Sequence, residues 1–482
     1  MKKVRTLVCL AVLSTLQIAP AAAAAPEALR DAVRKAVVTN PEVQARWHGF
    51  QAADADQETA RAGYYPQVDV SASIGRERLT RPNTGTDDYT HRNATLSLNQ
   101  MVYDGFFTKS EVARMGYAKL ARYYELVDAS EGAALEVVRA YGDVLRYREL
   151  VRLAKANYVE HKQISDQIGE RAGAGVGRRV DLEQATGRLA LAESNLLTEV
   201  SNLHDVSARY LRLVGEMPPE ALGDFGDKLA AGPLPANASE ALREAFNTSP
   251  ALNAAVENVR AGQALVDSRR SAYHPRVDLQ AYKAIDHNLD GVSGRSTDSV
   301  VQLVLNYNLF RGGADQARLR QAAEQLNQSR DLREKACRDL RQTLSIAYND
   351  SQRLVEQLRY LDQHQLSIEK AREAYRRQFD IGQRTLLDLL DTENEYFQAR
   401  RAYTNARYDQ VIAQARTLNG LGKLMSALDV ARDDLPPASE VGQDRAGIDP
   451  ATICPPDAPL PLQVDKAALL ADTLREAGGA KR

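Results

Sequence analysis

The chain has 482 residues, 44% hydrophobic and 26% charged, with a net charge of −2 at neutral pH. That length admits two to four domains, and so small a net charge excludes a general attraction to nucleic acid or to an anionic membrane surface. Aromatic residues make up only 6%, Trp47 is the single tryptophan, and Ala, Leu, Glu, Gln and Arg are abundant, the composition of long helices rather than of a mixed α/β protein.

Cys9, Cys337 and Cys454 share no close spacing, and the seven scattered histidines form no ligand pair at helical spacing. Neither a metal site, a cofactor nor a disulfide framework is therefore expected. Lys2, Lys3 and Arg5 precede a short apolar core from Leu7 to Ile18, then Pro20 and an alanine run to Ala25. Residues 1–25 are the pattern of a secretory signal peptide with an Ala-x-Ala cleavage region. The core is too short for a membrane span, and no other run approaches 18 apolar residues. Cys9 lies inside it and not at the cleavage region, against lipoprotein processing. An exported chain of this kind crosses a membrane only as a β-barrel.

From Pro26 to Gly63 the apolar positions keep a helical period: Leu29, Val33 and Val37, then Val43, Trp47 and Phe50 after Asn40-Pro41. At Gly63-Tyr64-Tyr65-Pro66 the period falls to two. Val68, Val70, Ala72 and Ile74 alternate with polar residues, and Ala94, Leu96 and Leu98 do the same before Tyr103, a hairpin of two strands over about 67–103. Beyond Gly105 a long helix without proline runs to a glycine-rich tip at about 173–179, and a second helix returns to Val214. Residues 216–238, rich in Gly, Pro and Ala, form a connector.

The second half, 239–428, repeats the first, 26–215. Pro250 follows Pro41 by 209 residues and Pro275 follows Pro66 by 209, whereas Arg311 follows Asp104 by 207 and Asp388 follows Asp181 by 207. Val277, Leu279 and Ala281, then Val301, Leu303 and Leu305, predict a second hairpin over about 276–310. Leu340, Leu344, Ala347, Leu354, Leu358 and Leu361 are heptad a and d positions of a coiled-coil seam. The second tip is at about 380–385, where Gly382 stops one helix and Thr385 with Asp388 forms the capping box of the next. Residues 429–482 turn rich in Pro, Asp, Ala and Gly and are expected to be poorly ordered, apart from a short helix at Lys466 to Glu476.

Four strands in two hairpins can neither bury an apolar face nor close their edges. Further copies of the chain can supply the missing strands. One apolar and one polar face suits a barrel with lipid outside and water inside, and Tyr64, Tyr65, Tyr103, Tyr273 and Phe310 fall at the helix-side strand ends as an aromatic girdle. A soluble β-sandwich would show the same alternation; the repeat, the signal peptide and the lack of other membrane segments favour the barrel.

Taken together, Asn40-Pro41-Glu42, Tyr64-Tyr65-Pro66, Tyr103-Asp104-Gly105, Phe310-Arg311-Gly312 and the tip Gly382-x-Arg384-Thr385-x-Leu387-Asp388-Leu389-Leu390-Asp391 resemble the TolC family of outer-membrane efflux and secretion proteins, over about residues 27–428. The resemblance implies a mainly α homotrimer. Its long helical hairpins form a periplasmic α-barrel, and each protomer gives four strands to a shared 12-stranded barrel in outer-membrane lipid. It implies as partners a periplasmic adaptor (membrane fusion) protein and an inner-membrane ABC or proton-driven transporter. It matches Asp388 and Asp391 to the family's aspartate ring at the periplasmic gate. Arg384 and Asp181 match its tip network of ion pairs. Val180 stands where a threonine is typical and Phe379 where a tyrosine is typical, so two hydroxyl donors of that latch are missing here. The bland reading of Asp388 is a helix cap. Arg178 and Arg179, beside Gly175 and Gly177, either touch the adaptor or are solvated tip charges.

No enzyme reading gains support: Gly173-x-Gly175-x-Gly177 lacks the following Lys-Ser/Thr and the preceding strand of a phosphate loop. The expected function is the exit duct of a tripartite export system, with type I protein secretion favoured over multidrug efflux. A non-conducting periplasmic coiled-coil protein is the alternative of a different class.

Overall fold

The computed structural model describes residues 26–82, 85–225, 229, 234–442, 454–459, 462 and 464–479. The expected signal peptide, with Cys9, lies outside the described residues. Helices α1 (Glu27–Thr39) and α2 (Pro41–Ala62) meet at Asn40. Its side chain accepts the amide of Glu42 at 2.9 Å while Pro41 opens the next helix without needing a donor. Then come β1 (Gln67–Arg81), β2 (Gly85–Tyr103), α3 (Phe107–Gly173) and α4 (Arg179–Val214). The second half gives α5 (Ala238–Thr248), α6 (Pro250–Arg270), β3 (Arg276–His287), β4 (Arg295–Asn306), α7 (Ala314–Asp380) and α8 (Leu386–Gly420). Helices α3 and α7 each have 67 residues, about 100 Å at 1.5 Å per residue. Three shorter helices follow among the described residues: α9 (Leu424–Ala427), α10 (Ala438–Val441) and α11 (Lys466–Gly479).

The strands form one antiparallel sheet in the order β1-β2-β3-β4. The central ladder joins the two hairpins, with Leu98 opposite Ala281 and Asn93 opposite Asp286, and a bulge at Val102 absorbs a one-residue slip. The registers put Val68, Val70, Leu96, Leu279, Val301, Leu303 and Leu305 on one face. Most of that face is exposed: Val70 to 77%, Val301 to 75% and Leu303 to 67%. Gln67, Asp69, Ser97, Asn99, Gln280 and Gln302 occupy the other. Strands β1 and β4 are edges with no partner among the described residues.

Near the strands α3 packs between α2 and α6, and α6 packs against α7; towards the tips α4 packs on α3, α3 on α8 and α8 on α7. No helix among the described residues is long and apolar enough to cross a membrane. The largest core lies midway, where α1 covers the small residues of α3. Leu29, Val33, Ala36 and Val37 are buried against Ala134, Val137, Val138 and Tyr141, with Val206, Leu213 and Val411 from α4 and α8. Each such aliphatic side chain contributes roughly 1.5–3 kcal/mol.

In that region Glu131 of α3 is 4% exposed. Its carboxylate accepts the amides of Leu424 at 3.0 Å and Met425 at 3.3 Å, the first turn of α9. Burial pushes its pKa from 4.5 to about 7. A raised carboxylate pKa means that the folded state disfavours ionisation. This group's stabilisation is complete below pH 4.5 and is lost as pH rises through 7. Glu131→Gln keeps an acceptor and removes the titration. The thermal midpoint of wild type should therefore fall relative to the variant between pH 5 and pH 8, by the equivalent of about 3 kcal/mol. Parallel melting curves for the two proteins across that range would refute the assignment.

One expectation for the C-terminal segment is corrected. Cys337 of α7 and Cys454 are joined by a disulfide, with Cα atoms 5.8 Å apart. Their separation of 117 residues is why spacing alone concealed the pair. Residues 430–441 and Cys454 of the tail pack on the helices, whereas the described residues beyond Cys454 are mostly exposed. Arg432 lies over Trp47 at 5.0 Å, the hydroxyl of Tyr123 donates to the carbonyl of Pro436 at 3.0 Å, and Val430, Val441 and Cys454 are buried. Beyond the disulfide the chain follows α7, where Arg353 donates to the carbonyl of Leu462 and Lys466 contacts Tyr360 at 2.7 Å. Closing a loop of that length restricts the unfolded chain by about 4–5 kcal/mol. Cys337→Ser should release the C-terminal segment to limited trypsin digestion under conditions that leave the wild type uncut. Equal resistance with and without reductant would count against this anchoring.

Candidate functional site

The far end of the helical bundle brings the two tips together. At the first, Gly175 has φ +75°, and the amides of Val176 and Gly177 both reach back to the carbonyl of Arg171, at 3.1 and 2.9 Å. At the second, Gly382 has φ +78°, a conformation a side chain would strain. The capping box of α8 is complete: Thr385 Oγ1 donates to Asp388 Oδ2 at 2.8 Å, and the Asp388 amide donates back to Thr385 Oγ1 at 3.2 Å. The Thr385 hydroxyl and amide hold the Asp388 carboxyl below the usual carboxylate range. Asp388 therefore caps its helix, whatever else it does.

Phe379 packs inward. It is buried with Ile164, Ile168, Leu386, Leu389 and Leu390 in the cluster that joins the two hairpins, and Arg171 lies over its ring at 5.6 Å. A hydroxyl there would need a partner in an apolar setting. Val180 is 67% exposed.

Arg384 and Asp181 line one cleft of about 350 Å³ with Arg178, Phe379 and Thr385, but do not pair within the chain. Arg384 stacks on Tyr375 at 4.3 Å, donates to Gln378 at 3.0 Å and lies 3.9 Å from Asp388. Asp181 is 3.6 Å from Arg178. Arg179 is exposed on the first turn of α4.

Asp391 finds a partner that sequence reasoning missed: Arg188 of α4, at 2.5 Å across the groove between the hairpins. Two residues along α8 from Asp391, about 3 Å on, the same groove holds a network around the buried Glu393. Arg372 of α7 reaches Glu393 of α8 at 2.7 Å and Glu160 of α3 at 3.2 Å, and Arg376 also pairs with Glu160. Burial pushes the Glu393 carboxyl up, and Arg372 counters this. Higher still, Arg401 of α8 meets the buried Glu199 of α4 at 2.6 Å. No motif marks these residues. The only sequence signal is that charged side chains sit where an apolar seam would otherwise continue. Among the described residues no cluster of His, Cys, Asp and Glu could hold a metal ion.

The arrangement can hold one helical hairpin against another through ion pairs in a narrow groove. It does so at one end of a bundle whose other end carries a one-sided apolar sheet. That is the anatomy of a channel protein of the outer-membrane export class. The chain belongs to the outer membrane efflux protein family, whose model matches residues 32–216 and 241–423, one stretch in each repeat. It is similar to the outer membrane efflux protein BepC of Brucella suis, 26% identical over 428 residues that cover 88% of this chain and 91% of the relative. The alkaline protease secretion protein AprF of Pseudomonas aeruginosa is 28% identical over 408 residues, 80% of this chain and 83% of that protein. Among solved structures, a membrane protein from Pseudomonas aeruginosa shares the fold with a TM-score of 0.75 at 20% identity, over 83% of this chain and 98% of that one. The protein is thus a channel-family component of the outer membrane.

Proposed function

We propose that three copies of this chain close their sheets into a 12-stranded barrel, and their hairpins into a periplasmic duct, to form the exit channel of a tripartite export system. The observation that carries this reading is the sheet: four strands with an exposed apolar face and two unpartnered edges, β1 and β4. Such edges demand further strands. Strands of 12 to 19 residues exceed the 9–11 or so needed to cross a bilayer at a tilt. Edge-to-edge closure of identical sheets leaves apolar side chains on lipid and polar ones on water.

The convergent tips serve as the gate. Asp388, Asp391, Arg384 and Asp181 stand at its entrance, and a periplasmic adaptor engages the exposed tip residues, including Arg178, Arg179 and Val180. A ring of these carboxylates favours cations at the constriction, although Arg188 neutralises part of it. With no nucleotide motif in the chain, energy comes from an inner-membrane partner. We favour an ABC exporter of a large protein, a reading supported by the similarity to AprF. The similarity to BepC supports a drug-efflux duct as the second reading.

A strain lacking this protein separates the two. Loss of one large protein from the medium, with unchanged sensitivity to dyes and detergents, is the expected result. Broad hypersensitivity with an unchanged secretome would replace type I secretion by efflux. Absence of conductance for the purified protein in planar bilayers would sink both in favour of a structural role.

A further inference from the structure

We propose that a cavity where the strands meet the helices binds a phosphate-type oxyanion. The cavity, of about 550 Å³, lies between the starts of α3 and α7, the end of α6 and the helix-side ends of β3 and β4. Four guanidinium groups line it, those of Arg269, Arg276, Arg311 and Arg318, against only two carboxylates, Asp104 and Asp315. Both carboxylates are already engaged. Asp104 Oδ2 accepts the amide and the hydroxyl of Thr108 at 2.8 and 2.5 Å. Asp315 is shared between Arg311 at 3.6 Å and Arg318 at 3.3 Å. Arg276 is fixed by Asp278 at 2.8 Å. With Asp278 counted, four guanidinium groups face three carboxylates, and Arg269 is the one left over.

The internal repeat makes this excess specific. Asp104 and Arg311 occupy equivalent positions, 207 residues apart. In the first repeat the carboxylate closes the start of α3. In the second an arginine stands in its place, no side chain caps α7, and Gly312 and Gly313 leave open space where a Cβ would be. An anion in the cavity supplies the charge that Asp104 provides in the first repeat. Planar guanidinium forks match phosphate oxygens in pairs, which favours phosphate over a halide.

Two sources present that chemistry. Tyr273, Tyr307 and Phe310 are exposed beside the cavity, at the level of an aromatic girdle, where basic pockets meet lipid headgroups. Arg276 and Asn306 sit on the polar face of the sheet, so a phosphorylated solute could reach the site from the aqueous side.

The test uses the full-length purified protein. After delipidation, retained phosphatidylethanolamine and phosphatidylglycerol are counted by native mass spectrometry, and inorganic pyrophosphate is titrated by calorimetry. The expected result is retention of one phospholipid per chain, or saturable binding of pyrophosphate, reduced at least tenfold by Arg311→Asp, which copies the first repeat. Arg318→Gln, a milder change, should reduce it at least threefold if Arg311→Asp fails to assemble, and Arg330→Gln on mid-α7 should leave it unchanged. Lipid retention alone assigns a headgroup site, and pyrophosphate binding alone a soluble ligand. No binding of either by wild type, or binding that Arg318→Gln leaves intact, overturns the proposal. So does a wild type that binds neither while Arg311→Asp dissociates, since the arginines then belong to an interface between copies.

Discussion

Leu303→Arg should abolish assembly in the outer membrane. Leu303 is the ninth of the twelve residues of β4 and the centre of its apolar run Val301–Leu305, lies opposite Leu279, and is 67% exposed on the apolar face. A guanidinium on the lipid face near the bilayer midplane costs about 2–4 kcal/mol. In a closed barrel of three copies the cost recurs in each, about 6–12 kcal/mol in all. That is comparable to the whole stability of an ordinary domain. Gln302→Arg, one residue along, points to the opposite face, where Gln302 donates to Gln280 at 3.2 Å, and should be tolerated. The measurement is membrane fractionation together with the heat-sensitive oligomer band. Normal assembly of Leu303→Arg, or equal failure of both variants, would mean that this face is not the one against lipid.

Arg372→Ala should loosen the proposed gate. Arg372 bridges three helices, holding Glu160 of α3 and the 3%-exposed Glu393 of α8 from its place on α7. Glu393 Oε1 has no hydrogen-bond partner, so Arg372 carries most of the compensation of that carboxylate, with a smaller share from the charge of Arg376. Removing one member of a buried ion pair leaves an uncompensated charge and costs about 3–5 kcal/mol. The strain falls on the contact between the two hairpins. We therefore expect several-fold higher single-channel conductance and greater entry of large antibiotics. Arg372→Met combined with Glu393→Gln removes the charge with its partner and should restore most of the closed behaviour. An Arg372→Ala channel with wild-type conductance and melting temperature would show that the network does not hold the hairpins together.

Much of this molecule was legible locally. Amphipathic periods, glycine stops and the Thr385–Asp388 box are short-range signals, because the backbone bonds and side-chain faces they reflect lie within one or two turns. The ion pairs of the groove were not legible. Arg188 and Asp391 are 203 residues apart, and so solvated a pair of residue types carries no spacing that distinguishes a partner from an ordinary surface charge. Phe379 was legible as a departure from the family pattern, but not as a core residue, since its burial depends on α3 arriving beside it.

The sequence by itself determined the repeat, the two tips, the helical cap on α8 and the two faces of every strand, all properties of periodic pattern. Only the tertiary structure decided that β2 pairs with β3, that Cys337 bonds Cys454, that residues 430–441 pack on Trp47, and that Asp391 belongs to Arg188. Each of these joins residues from different elements. Such a contact is chosen by the packing of whole helices and sheets, and periodicity within one segment carries no record of which other segment will lie against it.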